Sequence, residues 1–285
     1  MPVVERAGQP HLHYALDDFT DPWRNAPVLV LQHGNGRSGA FWYRWVPYLA
    51  RWYRVLRPDL RGLGQSGRDF DLTSGLTSGL TLDTLVEDLQ AVLEHAGAGT
   101  VHYCGESMGG ILGLALAAAA PARVRTLTLV ATPVFISDTM KSRYALGHGS
   151  RIDAMRAMGI RDWVRETTRG TRLPEAEAPD LFDWYVDEFA RGDPAVQVAM
   201  SALVNRADAR ALLPAVRCPV LGLYPTAGQI TDAEQERMLG EALADFELVH
   251  LPTAYHMVHL LHARECAERT LAFCARHDGL DIAEP

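Results

Sequence analysis

The sequence predicts an α/β protein with a mostly parallel sheet covered by helices on both faces. Continuous apolar runs, typical of strands buried on both faces, alternate with segments of helical periodicity. The predicted strands are Val28–Gln32, Val55–Leu56 with its flanks, Val101–Cys104, Leu127–Ala131, Val220–Tyr224 and Leu248–Leu251. The predicted helices are Phe41–Trp52, Leu82–His95, Gly109–Ala120, Asp232–Ala244 and Ala263–His277, and Thr73–Thr81 is a predicted loop.

The alternation stops between about Pro133 and Pro214, where only helical patterns occur. This interruption predicts a helical cap over residues 134–213, inserted into a core formed by residues 1–133 and 214–285. The second part of the cap is acidic, and the first contains Arg143, Arg151, Arg156, Arg161, Arg165, Arg169 and Arg172. Two interpretations stay open: the parts are solvated faces that attract each other, or one arginine faces a site and binds a substrate carboxylate.

The bulk composition argues against several classes of partner. The 285 residues carry a formal net charge of −8, which disfavours nucleic acid or an anionic membrane as the main partner. The longest strongly apolar run, Ile111–Ala120, is far shorter than the roughly 20 residues that span a bilayer. We therefore expect a small-molecule substrate, no nucleic acid and no membrane. A homodimer is compatible with the sequence, which does not determine the oligomeric state.

The N-terminus and the cysteines indicate a reducing compartment. Residues 1–16 contain charges and histidines but no apolar stretch of the kind found in a signal peptide. Cys104, Cys218, Cys266 and Cys274 show no C-x-x-C spacing, so we interpret them as free thiols. The expected location is the cytoplasm, and no cofactor is expected.

The most specific signal is Gly105-Glu106-Ser107-Met108-Gly109, which lies between a predicted strand and a predicted helix. Such a turn is sharp, so its flanking positions need small residues, and it places the serine at the carboxyl end of the strand. The N-terminus of the following helix favours developing negative charge. We predict that Ser107 is a catalytic nucleophile; the alternative is an unreactive serine in a strand-to-helix turn.

A serine nucleophile needs a base, and His256 is the best placed of the 11 histidines because it follows the last predicted strand. His259 and His262 follow at steps of three, so a metal cluster is the alternative. These positions drift around a helix and have no evident carboxylate partner. We therefore predict no metal site and assign His259 and His262 to packing or to the surface.

Two backbone N–H groups are expected to form an oxyanion hole. One belongs to Met108, directly after the nucleophile. The other belongs to Asn35 in the loop His33–Gly36, where glycines let the backbone approach a substrate, and the Asn35 side chain is a third candidate donor. The alternative is a simple turn made of Asn and Gly.

Taken together, these stretches resemble the α/β-hydrolase superfamily. The resemblance rests on His33–Gly36, Asp59–Ser66, Gly105–Gly110, the run at Pro219 and the terminal His256, and it extends from about residue 12 to residue 275. The similar branch contains esterases, enol-lactonases, C–C bond hydrolases and cofactor-free haloperoxidase-like enzymes. The resemblance implies the α/β-hydrolase fold, with an eight-stranded sheet and a helical cap; its motifs are specific for the superfamily and weak for substrate.

The sequence departs from the family at the catalytic acid. The family places an Asp after the strand that corresponds to Val220–Tyr224, where this chain has Gly228, and the second family position carries no carboxylate either. Three substitutes stay open, namely Asp232, Asp138 and Glu106. Asp232 resembles a helix N-cap, and Asp138 starts the cap. The side chain of Glu106 is expected to point away from the nucleophile and to be buried against an arginine.

These residues predict a serine hydrolase that cleaves an ester, a lactone or a similarly activated acyl bond of a small molecule through an acyl-enzyme on Ser107. The main rival is a C–C bond (diketone) hydrolase. Because no acid is placed, a non-hydrolytic enzyme such as a lyase, or a ligand receptor on the same scaffold, stays open. A carboxylate within hydrogen-bonding reach of His256 Nδ1 would discriminate between these classes.

Overall fold

The computed structural model describes residues 2–72 and 79–282, so residues 73–78 of the predicted loop lie outside the described residues. The strands are β1 (Val3–Val4), β2 (Leu12–Asp17), β3 (Val28–Gln32), β4 (Arg54–Pro58), β5 (Val101–Glu106), β6 (Val124–Val130), β7 (Val220–Pro225) and β8 (Phe246–Leu251). Within these ranges they form an eight-stranded sheet in the order β1-β2-β4-β3-β5-β6-β7-β8. At one edge, β2 pairs antiparallel with both β1 and β4. The other neighbours in this order, β4-β3-β5-β6-β7-β8, pair in parallel. The expected α/β-hydrolase fold is confirmed.

Helices cover both faces of this sheet. They are α1 (Val46–Leu49), α2 (Leu82–His95), α3 (Met108–Ala119), α4 (Asp138–Ala145), α5 (Arg151–Met158), α6 (Ile160–Arg169), α7 (Pro179–Ala190), α8 (Pro194–Arg206), α9 (Ala233–Ala242), α10 (Val258–Leu261) and α11 (Ala263–Asp278). Because successive strand residues point to opposite faces, Val28 and Val30 of β3 join the core beneath α2 and α3. Leu29 and Leu31 join the core beneath α1 and α11.

One predicted helix is wrong in extent. Instead of a continuous helix over Phe41–Trp52, a short 3-10 helix spans Gly39–Trp42 and α1 spans only Val46–Leu49. Pro47 lies at the start of α1, where its missing N–H is tolerated, whereas the interior of a longer helix would lose a hydrogen bond there.

The chain between β6 and β7 forms α4 to α8, within the range for which the sequence predicts the cap. An isolated antiparallel bridge between Phe135 and Asp208 brings the two ends of this segment together. The division into core and cap remains a prediction. No helix in the described part of the chain is long and apolar enough to cross a bilayer.

Candidate active site

Ser107 makes a strained turn between β5 and α3. β5 ends at Glu106 and α3 begins at Met108, so Ser107 alone joins strand to helix, with φ 55° and ψ −119°. A conformation of this kind costs a non-glycine residue about 1–3 kcal/mol. The Ser107 N–H donates to the Val130 carbonyl over 3.0 Å, and the Ser107 carbonyl accepts from the Gly110 N–H over 2.9 Å. These hydrogen bonds hold Ser107 in its strained conformation. Ser107 is partly exposed.

Close backbone approach explains the glycines on either side of Ser107. A Cβ atom at Gly105 would lie 2.3 Å from the Gly109 carbonyl oxygen, and one at Gly109 would lie 2.5 Å from the Gln32 carbonyl oxygen. Any side chain at these positions would push α3 away from β3 and β5.

The loop after β3 abuts this turn and is fixed by His33. A Cβ atom at Gly34 would lie 2.8 Å from the Glu106 carbonyl oxygen, so the loop passes directly beside the end of β5. His33 Nε2 accepts a hydrogen bond from the Leu60 N–H, which leaves Nδ1 protonated to donate to the Gly34 carbonyl over 2.8 Å. Burial lowers the pKa of His33, which is consistent with this neutral form. The predicted oxyanion donor Asn35 therefore lies on a fixed loop that passes beside the end of β5, directly before Ser107.

Helices α7 and α8, in the range of the predicted cap, contact the same loop. The Asn35 side-chain amide donates one hydrogen bond to Ser201 Oγ of α8 over 3.3 Å, and its role as a third oxyanion donor stays a prediction. A Cβ atom at Gly36 would lie 2.2 Å from the Phe189 ring. A cavity of about 390 Å³ flanks this contact and is lined by Gly36 and Arg37 but not by Ser107 or His256.

Glu106 is fully buried and paired with Arg37. Arg37 Nη2 donates to Glu106 Oε2 over 2.5 Å, and Arg37 Nη1 donates to the Tyr185 hydroxyl over 2.9 Å. An arginine partner for Glu106 is expected from the sequence, but the pattern does not say which one. The signal available in the sequence is the position of Arg37, two residues after Asn35.

His256 lies beside this pair. Its Nε2 atom is 3.3 Å from Glu106 Oε1, an ion-pair distance. Its backbone N–H donates to the Thr171 carbonyl over 2.9 Å, and the Met257 N–H donates to the Arg172 carbonyl over 3.2 Å. His256 Nδ1 is buried without a hydrogen-bond partner among the described residues. The backbone at His256 and Met257 is thus held by the segment between α6 and α7. No sequence pattern predicts this contact.

The three candidate acids occupy different environments. Asp232 caps α9 by accepting from the Gln235 N–H over 3.0 Å, and Asp138 is exposed and paired with Lys141. Among the three, Glu106 alone is within ion-pair distance of His256 in the described residues. Gly228 lies in a closed turn, where a Cβ atom would be 2.6 Å from the Thr231 carbonyl oxygen.

The charges around His256 favour an ionised Glu106 and a neutral imidazole. Burial alone would raise the pKa of Glu106, but the Arg37 guanidinium and the adjacent His256 hold it well below its ordinary value. Burial lowers the pKa of His256; Glu106 opposes this effect, and the charges of Arg37 and Arg172 add to it. A neutral imidazole beside an ionised carboxylate can accept a proton.

His259 and His262, which with His256 make up the alternative metal cluster, lie in different surroundings. The described residues contain no group of three His, Cys, Asp or Glu residues that could hold a metal ion. His259 is buried with its ring centroid 4.9 Å from that of Trp42, and its carbonyl accepts from Trp45 Nε1 over 2.8 Å. His259 is therefore a packing residue, and His262 lies partly buried between α10 and α11.

The fold and the turn at Ser107 define an α/β-hydrolase architecture, and comparison with known proteins agrees. The family model described as alpha/beta hydrolase fold matches residues 27–263. The chain belongs to this family, and the family together with the names of its relatives supports a hydrolase.

Individual relatives are distant but similar along most of their length. The chain is 26% identical over 250 residues to a putative carbamate hydrolase, RutD, of Klebsiella pneumoniae subsp. pneumoniae. This alignment covers 85% of this chain and 89% of that protein. It is 29% identical over 217 residues to 3-oxoadipate enol-lactonase 1 of Acinetobacter baylyi, with 73% of each chain covered. The solved structure of the enol-lactonase from Burkholderia xenovorans LB400 is similar at a TM-score of 0.81 and 25% identity, covering 96% of this chain and 100% of that chain.

Proposed function

We propose that this protein is a serine hydrolase that cleaves an ester, a lactone or a similarly activated acyl bond of a small molecule. The proposal rests on one juxtaposition at the end of β5: the strained, partly exposed Ser107 beside the buried pair of Glu106 and His256. The relatives named enol-lactonase and putative carbamate hydrolase support substrates whose carbonyl carbon bears a heteroatom.

In this mechanism Ser107 Oγ attacks the carbonyl carbon while His256 accepts the hydroxyl proton. The N–H groups of Asn35 and Met108 bind the negative charge that develops on the carbonyl oxygen. The bond to the leaving group breaks, and the leaving group takes the proton from His256. A water molecule then attacks the acyl-enzyme with His256 as base, which releases the acid and restores Ser107.

Glu106 supplies the negative charge that Gly228 cannot supply. In this proposal its carboxylate stabilises the imidazolium that forms on His256. Arg37 keeps that carboxylate ionised, but its positive charge also offsets part of the negative potential that Glu106 produces at His256. Because the carboxylate approaches Nε2 rather than Nδ1, we expect a slower enzyme than one with an Asp on Nδ1. Activated substrates such as lactones and aryl esters suit such a site.

The test is labelling by a fluorophosphonate followed by turnover of a panel that contains an ester, a lactone and a ring-fission diketone. We expect labelling and ester or lactone turnover in the wild type, both lost in Ser107→Ala and both kept in Ser142→Ala, which changes an exposed serine of α4. Absence of labelling and of all turnover would overturn the proposal. Turnover of the diketone alone would replace it with a C–C bond hydrolase.

The partner-free Nδ1 atom of His256 favours a second candidate, a protein that binds its ligand without hydrolysing it. Saturable binding of a panel member by the wild type, unchanged in Ser107→Ala and without turnover, would support a receptor or a lyase. For the hydrolase we expect a cytoplasmic location, which the four free cysteines support, and a homodimer stays a prediction.

A further inference from the structure

The arginines of the cap fall into two groups. Arg161, Arg165 and Arg169 are partly or well exposed, and each forms an ion pair with an acidic side chain. These pairs match the interpretation of solvated faces that attract each other. Arg151 and Arg172 are different, because they are only 4% and 3% exposed, and their side-chain hydrogen bonds in the described residues go to Asn205, Thr167 and Thr168 rather than to a carboxylate.

The hydrogen bonds of these two arginines are incomplete. Arg151 Nη1 donates to Asn205 Oδ1 at 3.5 Å, and its buried Nε has no acceptor among the described residues. Arg172 Nη1 donates to the hydroxyls of Thr167 and Thr168 over 2.8 and 3.4 Å. Neutral oxygen atoms thus supply the few acceptors, and no negative charge offsets the guanidinium groups.

Both guanidinium groups lie against the same two rings. Arg151 Cζ is 4.8 Å from the Tyr144 ring centroid and 4.9 Å from that of Trp163. Arg172 Cζ is 4.8 Å from the Tyr144 centroid and 5.7 Å from the Trp163 centroid. The two cations therefore lie against one pair of rings, where each charge acts on the other. Burial and the charges of Arg172 and Arg37 lower the pKa of Arg151 to about 10, although Tyr144 opposes this effect.

Aromatic faces offset only part of the free energy of burying two like charges. A bound carboxylate would satisfy the planar donor forks of both groups and remove the repulsion between them. A cavity of about 430 Å³ also reaches Arg151, with Lys141, His148 and Asn205 among its lining residues. A small anion that enters this cavity can reach the Arg151 side chain.

The position of Arg172 connects this pair with the reacting atoms. Its carbonyl accepts from the Met257 N–H, and the preceding carbonyl, of Thr171, accepts from the His256 N–H. We propose that Arg151 and Arg172 bind a carboxylate of the substrate, so that the enzyme prefers acyl compounds that carry a free carboxylate a few bonds from the scissile carbonyl. This proposal rests on the proposed hydrolase function.

The test compares monomethyl glutarate, which carries a free carboxylate, with dimethyl glutarate, its neutral counterpart. We expect the wild type to favour the half-ester in kcat/KM by about tenfold or more. At a pH above the acid limb of the profile, we expect Arg172→Gln to lower kcat/KM for the half-ester about 10- to 100-fold, mainly through KM, and to leave the diester nearly unchanged. Arg172→Lys should recover part of the loss, and Arg161→Gln, at an exposed ion pair, should change neither substrate.

A wild type without preference for the half-ester, or equal losses on both substrates in Arg172→Gln, would overturn the proposal and leave the hydrolase intact. If neither ester is hydrolysed, fluorophosphonate labelling and lactone turnover decide the hydrolase proposal, and glutarate binding decides this one. We then expect glutarate to raise the Tm of the wild type but not that of Arg172→Gln; no shift in the wild type overturns the anion site. If Arg172→Gln does not fold, Arg151→Gln takes its place in every comparison.

Discussion

The two ends of β5 each hold a buried histidine beside a carboxylate, and they differ in how completely the histidine is paired. Near the amino end, His102 Nδ1 contacts Thr126 Oγ1 at 2.8 Å and His102 Nε2 contacts Asp278 Oδ2 at 2.9 Å. At the carboxyl end, His256 approaches Glu106 through Nε2 alone, and Nδ1 has no partner among the described residues.

The difference separates a structural pair from a reactive one. Asp278 also accepts from the Tyr53 hydroxyl and pairs with Arg125, so both sides of the His102 contact are saturated. A buried network in which every hydrogen bond is made rigidifies the fold and leaves no donor or acceptor for a substrate. Glu106 Oε1 and His256 Nδ1 lack hydrogen bonds within the described chain, and unsatisfied buried groups of this kind mark places where a ligand or a proton is to be accommodated.

Ser107→Ala and His256→Gln test the reactive end most strongly. Each removes a group of the proposed nucleophile–base pair, so we expect kcat to fall about 10⁴-fold or more, with the Tm nearly unchanged. Ester or lactone turnover and thermal unfolding measure the two effects. Ser107→Ala with near wild-type turnover would place the reactive centre elsewhere.

Glu106→Gln should lower kcat about 10²-fold, because the imidazolium loses its stabilising charge. The Glu106 carboxylate raises the pKa of His256, whereas Arg37 and Arg172 lower it. Its removal should therefore move the acid limb of the kcat/KM profile to lower pH. Glu106→Asp should keep the charge and part of the rate.

The double variant Glu106→Gln with Arg37→Met controls for stability, because the single variant leaves Arg37 buried and unpaired. We expect the double variant to unfold at a higher temperature than the single one. Because Arg37 lowers the pKa of His256, the acid limb of the double variant should lie between that of the single variant and that of the wild type. An acid limb that stays in place in both variants would make Glu106 a purely structural partner of Arg37.

Asp278→Asn tests the saturated end. We expect the free energy of unfolding to fall by about 2 kcal/mol, because His102, Tyr53 and Arg125 lose a charged partner. The kcat of the folded fraction should not change. Urea unfolding measures the first effect and single-substrate kinetics the second; a loss of kcat without a loss of stability would contradict the assignment of His102 to structure.

His259 provides a third case, a buried histidine with no carboxylate in direct contact among the described residues. Burial lowers its pKa from 6.5 to about 3. As the pH falls below about 6.5, the unfolded chain binds this proton and the folded chain does not, so stability decreases by up to about 1.4 kcal/mol per pH unit. His259→Phe should flatten the decrease in urea stability between pH 7 and pH 5. The same slope in His259→Phe as in the wild type would contradict this, and the exposed His148→Gln is the control.

Local pattern was enough to predict the six strands from β3 to β8, the turn at Ser107 and the loop at Asn35, because strand, turn and helix signals lie within a few residues of each other. The edge strands β1 and β2 were not predicted from the pattern, and only the family resemblance implied eight strands. The same pattern misplaced the helix over Phe41–Trp52, where Pro47 divides the segment. The pairing of Glu106 with Arg37, and of His256 with Thr171, depends on how distant segments pack. Such contacts leave no periodicity in a single sequence.

The closed turn at Gly228 has a consequence for protein engineering. Introducing an aspartate there to rebuild a conventional triad would press its Cβ against the Thr231 carbonyl, whose oxygen lies 2.6 Å from that position. The main chain from residue 228 to 231 would have to be redesigned along with the side chain. Recruitment of the usual acid therefore requires grafting a whole turn, and a point substitution at this position should yield a less stable protein rather than a faster one.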